Sequence, residues 1–180
     1  MQRAAVMLAV IALAGTAPAV GADGSKSAPI AHRLATVLAE RHLDAIAAAD
    51  PSSPDRFVAA LLYPDVQLLV VGARYAAPET MRAQIAAHQY KDVYLALIGS
   101  SPPESRLFFQ DLKADGLHAE ADGGVDVMYE HVDKQTVFDG KPDRTRFDAA
   151  DAEYSRLLSL LVTEASAQTS SPPAGGLRAF

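Results

Sequence analysis

Apolar residues recur at helical spacing near both ends of the chain, with short, nearly continuous apolar runs between. From Ile30 to Ala49, Ile30, Leu34, Val37, Leu38, Ala45 and Ile46 fall roughly on one face of an alanine-rich segment, which predicts a helix. A polar leader, Asp23 to Pro29, precedes it. Asp50-Pro51-Ser52-Ser53-Pro54 is a turn. Ser53 as N-cap and Pro54 at the first helical position predict a second, short helix to about Leu62. Val66 to Val71 (VQLLVV) is short and almost wholly apolar, as in a strand covered on both faces. Pro78 to His88 reads as a helix. In Tyr90 to Ile98 (YKDVYLALI), Val93, Leu95 and Leu97 alternate with Tyr94, Ala96 and Ile98, which predicts a second doubly covered strand. Arg106 to Leu112 is expected as a third strand and Leu117 to Ala121 as a fourth. Val125 to His131 alternates, and Gln135 to Phe138 pairs back on it as a hairpin. Asp148 to Ala165 is the clearest helix, with Tyr154, Leu157, Leu158, Leu161, Val162 and Ala165 on one stripe.

This order predicts an α+β domain: a mixed β-sheet packed by an N-terminal helical segment and a C-terminal amphipathic helix. The domain is expected over residues 23–166, followed by a flexible tail of Ser, Pro, Gly and Ala over 167–180. Residues 1–22 read as a secretory signal peptide. Arg3 is its positive start, Ala4 to Ala14 its apolar run, and Val20-Gly21-Ala22 its small-residue exit; Ala17-Pro18-Ala19 also fits. The run is shorter than the roughly 20 residues that span a bilayer. The expectation is therefore a protein exported to the periplasm or the medium, beginning at Asp23, with no transmembrane segment after signal removal.

Charge narrows the partners. Asp and Glu number 22 against 16 Lys and Arg, a net charge of −6, and no basic cluster stands out. That argues against nucleic acid and anionic membrane surfaces. The chain has neither cysteine nor tryptophan, so disulfides and thiolate chemistry are excluded.

Asp111, Lys113, Asp115, Gly116 and Asp122 match positions of a calcium loop, but Lys113 puts a cation where an oxygen is needed, and Asp115-Gly116 reads better as a plain turn. A zinc site would draw on His118, Glu120 and His131, without the helical spacing such sites use elsewhere. His32 and His42, ten residues apart on one continuous helix, would be about 80° out of line. No metal site is expected. Nucleophile elbows, phosphate loops and dinucleotide fingerprints are missing. Asp148 and Asp151 read as charges at the start of the last helix.

A ligand site is expected at one sheet edge. If 66–71 and 91–98 are parallel strands joined by a helical crossover, their carboxyl ends share that edge, where ligands gather in open α/β sheets. Arg74 and Tyr75 would leave the first strand there, and Ser100 and Ser101 the second. Thr80 would offer a helix N-terminal N–H to an anion, with Arg74 as charge partner. The alternative is that Arg74 pairs with Glu79 or Asp65 on the surface.

The segments VQLLVVGARYAAP, YKDVYLAL, LFFQDLKADGL, TVFDGK and DAADAEYSRLLSLLV together resemble a family of exported bacterial proteins without an assigned activity. The resemblance runs from about Arg56 to Val162. The strand, helix, strand order of 66–98 is similar to part of the split-barrel flavin-binding proteins, which begin with a β-hairpin where this chain reads helical. Two function classes follow. One is a non-enzymatic domain of the cell envelope that binds a small ligand or an envelope protein. The other, implied by the split-barrel likeness, is an enzyme for a small ligand or a cofactor of flavin or haem type.

Overall fold

A computed structural model describes residues 25–100, 106–118, 126–131, 134–138 and 143–168. Its elements run α1 (Ala28–Glu40), β1 (Ala45–Ala49), β2 (Arg56–Leu62), β3 (Leu68–Arg74), α2 (Pro78–Ala86), α3 (Tyr90–Ser100), β4 (Arg106–Asp111), a 3-10 turn (Leu112–Ala114), β5 (Asp126–His131), β6 (Lys134–Phe138) and α4 (Arg144–Gln168). The six strands form one sheet in sequence order, every neighbour antiparallel. The class is α+β, and the sheet is an antiparallel meander where a mixed one was expected. Among the described residues, no helix is long and apolar enough to cross a membrane.

The period-two alternation of β1–β3 sends side chains to two cores. Ile46, Ala60 and Val70 lie side by side and face α1 and α4, where Leu34, Leu38, Tyr154 and Leu158 are fully buried. Ala47, Ala59 and Val71, also in register, face α3, which buries Val93, Tyr94 and Leu97. Strands sandwiched in this way read as unbroken apolar runs, because both faces are covered.

That explains three departures from the sequence reading. Ala45 to Ala49 continues no helix but forms the edge strand β1, whose small side chains suit a strand covered on both faces. Residues 56–62 are strand β2 and not a helix: Phe57 and Ala59 point to one core, Val58 and Ala60 to the other. The Ser53 hydroxyl caps no helix and instead bonds Asp55 at 2.7 Å. Residues 90–100 are helix α3 and not a strand. Tyr90, Val93, Tyr94 and Leu97 are the buried set, and their spacing is helical. Strand β3 begins two residues later than expected and runs to Arg74.

The hairpin of β5 and β6 forms as expected. Leu117 and His118 are not in a strand, and 119–121 lie outside the described residues. So do the signal segment 1–22 and tail residues 169–180. Ala167 and Gln168, expected in the tail, belong to α4, and the Gln168 side-chain amide donates to the Tyr90 hydroxyl.

Two buried carboxylates tie the helices together. Asp151, well inside α4 and not at its start, accepts the Ser25 hydroxyl at 3.0 Å and the backbone N–H groups of Lys26 and Ser27 at 2.7 and 3.0 Å. It therefore satisfies orphan donors ahead of α1 and fixes the polar leader to the core. Asp111, fully buried, accepts the N–H groups of Asp115 and Gly116, both at 3.1 Å, and the Tyr154 hydroxyl at 2.9 Å. The segment matched to a calcium loop is thus folded around its own first carboxylate. Asp122 lies outside the described residues. Gly116 has φ +91°, and a Cβ there would stand 2.4 Å from the backbone of Ala28, so no other residue fits without movement.

Candidate functional site

The antiparallel register gives the sheet two ends. At one, the turn between β1 and β2 meets the middle of α4. At the other lie the turn between β2 and β3, the C-termini of α1 and α2, and the 3-10 turn after β4.

The first end is closed by charge. The Asp50 side chain is wholly buried. It accepts the Ser52 amide and hydroxyl at 3.0 and 2.6 Å and Arg156 Nη1 at 2.9 Å. Burial alone would push its carboxyl up; the Ser52 bonds and the Arg156 guanidinium outweigh it and hold it below the ordinary carboxylate value. Glu153 takes Arg156 Nε and Nη2 at 2.9 and 3.0 Å in a fork, and Arg56 Nη2 at 2.9 Å. Burial opposes the Glu153 charge as well, and the bonds from Arg156, then Arg56, prevail to lower its carboxyl. The Glu153 bonds raise Arg156 in turn. Each member has its counter-charge, so the cluster clasps α4 to β1 and β2.

The second end is open. A cleft of about 640 Å³ runs along one side of α1 to the β2–β3 turn. Ala35, Ala39, Leu43, Leu62, Pro64 and Val66 give it an apolar wall, and His32, His42, Tyr63 and Lys113 stand along it. The helix supplies its stripe by spacing: His32, Thr36 and Ala39 are exposed beside the buried row Ala31, Leu34, Ala35 and Leu38. His42 joins the same cleft because α1 stops before it. His42 adopts a left-handed φ of 55°, and its N–H and that of Leu43 return to Ala39 and Leu38 carbonyls at 3.1 and 2.9 Å. The 80° misalignment expected of His32 and His42 assumed one unbroken helix; this turn resets the phase. A smaller cleft of about 140 Å³ lies across Asp44, lined by His88, Tyr90 and Lys91.

Backbone strain gathers at this end. Among the described residues, the non-glycine positions with positive φ are His42, Val66, His88, Lys113 and Ala114, and all lie here. Val66 is the most costly, since a β-branched side chain crowds its own backbone at φ 66°. Such outliers persist only where surrounding structure enforces them, and they concentrate at sites of function. Tyr63 and Val66 are also among the large apolar side chains left exposed. Close to Tyr63, the Tyr94 hydroxyl is buried without a hydrogen-bond partner among the described residues. Burial first, and Tyr63 second, push its ionisation upward.

The residues expected to form a site at the sheet edge do not share the expected frame. With 90–100 a helix, no parallel pair exists to create that edge. Arg74 ends β3 with an exposed side chain, its Nε 3.9 Å from Asp55 Oδ2, so it pairs on the surface with a different acid from the two considered. Tyr75 packs against the core under α2 and α3. The Thr80 N–H is donated to Ala77 O at 3.1 Å, and Glu79 pairs with Arg82 at 2.6 Å. Ser100 is the last residue of α3, and Ser101 lies outside the described residues. His118 Nε2 approaches the Asp115 carbonyl at 3.0 Å; Glu120 is outside the described residues, and among those described no group of three or more His, Asp or Glu is placed to hold a metal.

With this geometry in hand, comparison with protein-family models, curated proteins and solved structures finds no match for the chain. The site stands on its own residues.

Proposed function

We infer that this chain is a non-enzymatic ligand-binding domain of the cell envelope, exported by the signal read over residues 1–22, and that its site is the cleft beside α1. The observation that carries this reading is the coincidence of an apolar cleft of about 640 Å³ with the strained backbone of His42, Val66 and Lys113. Ligand pockets are typically about 300–1,000 Å³, mostly apolar, with a few polar groups at fixed places. The cleft has that composition.

The test is titration with 1-anilinonaphthalene-8-sulfonate, whose fluorescence reports apolar surface. One probe should bind per chain. Ala39→Trp, which fills the cleft from an exposed position, should abolish the signal, whereas Arg74→Ala should leave it unchanged. Binding that survives Ala39→Trp overturns the assignment. For export, mass spectrometry of protein secreted by a bacterial host should find Asp23 as the first residue; retention of residues 1–19 would overturn it.

A second reading, a flavin- or haem-type enzyme on a split-barrel-like sheet, is favoured by one observation. Of the stretch read as helical, which set this chain apart from those proteins, only Ala28–Glu40 is helix, and β1 and β2 form a hairpin over the rest. A visible absorption band in protein purified from its native host would support that reading; a colourless protein would count against it.

A further inference from the structure

We propose that the ligand of the cleft is an amphiphile with a single anionic head, a monocarboxylate carrying an apolar chain, and that Lys113 receives the head. This rests on the reading of the cleft as the binding site. The chain as a whole carries −6, yet this cleft brings together one lysine and two histidines, His32 and His42. Its carboxylate, Asp44, is engaged from the other side by Lys91, 3.7 Å away. Lys113 has no carboxylate partner among the described residues, and its side chain is exposed. The cleft therefore offers a positive group against an acidic background, which selects anions over cations.

The backbone that holds Lys113 is itself unusual. Its φ is 72° and that of Ala114 is 52°, two successive left-handed residues. Glycine would adopt either at lower cost. The conformation is enforced from beneath, where the buried Asp111 carboxylate gathers the Asp115 and Gly116 amides. A lysine at a position that favours glycine is accounted for if its ammonium is used. The apolar wall of Leu43, Leu62, Pro64 and Val66 then takes the chain of the ligand, and the open mouth leaves the head hydrated beside Lys113 and the histidines.

The experiment is calorimetric titration of the full domain, below micellar concentrations, with decanoate, 1-decanol and decyltrimethylammonium. Decanoate should bind once per chain, about tenfold tighter than decanol, as expected of a charge-assisted contact, with the cation weakest. Lys113→Gln, which keeps the backbone strain and removes the charge, should reduce decanoate to the affinity of decanol and leave decanol unchanged. Ala39→Trp should remove both. Equal affinities for decanoate and decanol, or a Lys113→Gln variant that still prefers decanoate, overturn the head-group assignment while the cleft reading stands. Undiminished binding of both to Ala39→Trp overturns the cleft itself, and binding of none of the three probes to the parent protein overturns the proposal.

Discussion

The two ends of this sheet solve opposite problems. At the β1–β2 turn, four charged side chains are brought together and each finds its partner: Asp50 and Glu153 share Arg156, and Arg56 closes the ring. At the β2–β3 turn, left-handed backbone at His42, Val66 and Lys113 lines an apolar opening. The first arrangement spends charge on holding α4 to the sheet. The second leaves strain and apolar surface unrelieved, as functional surfaces do when stability and use compete. That difference is why the proposed site is put at the open end.

The comparison breaks most visibly at Arg156. Arg156→Ala leaves the buried Asp50 carboxylate with the Ser52 bonds and only a distant cation, Arg56 at 3.8 Å, and takes one of its two arginines from Glu153. Unpairing a buried ion costs about 3–5 kcal/mol; because Arg156 is itself partly exposed, a loss of about 2–4 kcal/mol is expected from denaturant unfolding. No change in midpoint would mean that the cluster is ornamental. Acid tests the same end more gently. Asp50 and Glu153 have carboxyls lowered in the folded state, so their contribution is present above the unfolded values of about 3.9 and 4.3 and is lost as pH falls through the lower folded values. Thermal midpoints should be flat from neutral pH to about 5 and fall below about 4. Asp50→Asn should lower stability at neutral pH and flatten the acid limb; an unchanged limb would contradict the assignment. The smallest effect belongs to the open end. Val66→Gly relieves a left-handed valine, worth about 1–2 kcal/mol, against the greater freedom that glycine gives the unfolded chain, about 0.5–1 kcal/mol. A net gain of up to about 1 kcal/mol is expected, with weaker ligand binding. Destabilisation would show that Val66 is packed and not strained.

What the sequence made legible follows from these forces. The stripe of α4 was readable because an amphipathic helix on a core keeps its period over many turns, and Tyr154, Leu157, Leu158 and Leu161 are all buried as spaced. Helix and strand are exchanged where the apolar run is short. Phe57 to Leu62 lacks a polar face because both its faces are covered, while in Tyr90 to Ile98 the exposed Leu95, beside Lys91 and Asp92, completes an apparent alternation that conceals the helical set Tyr90, Val93, Tyr94 and Leu97. The candidate cleft is not legible in the sequence for a related reason. On one straight helix His32 and His42 fall out of line, and nothing in local pattern announces the left-handed turn at His42 that brings both to one cleft. Lys113 was noticed as the residue that spoils a calcium loop. Its place in the cleft depends on Asp111 and Tyr154 meeting across 43 positions of chain, which no local spacing encodes.

The most direct test of the contrast between the ends is amide chemical-shift mapping of the labelled domain titrated with decanoate. Shifts should be confined to 32–44, 62–67 and 112–114, with Asp50 to Arg56 and Arg74 to Thr80 unmoved. Perturbations centred on Asp50 to Arg56, or on Arg74 to Thr80, would place binding at the paired end and contradict the account.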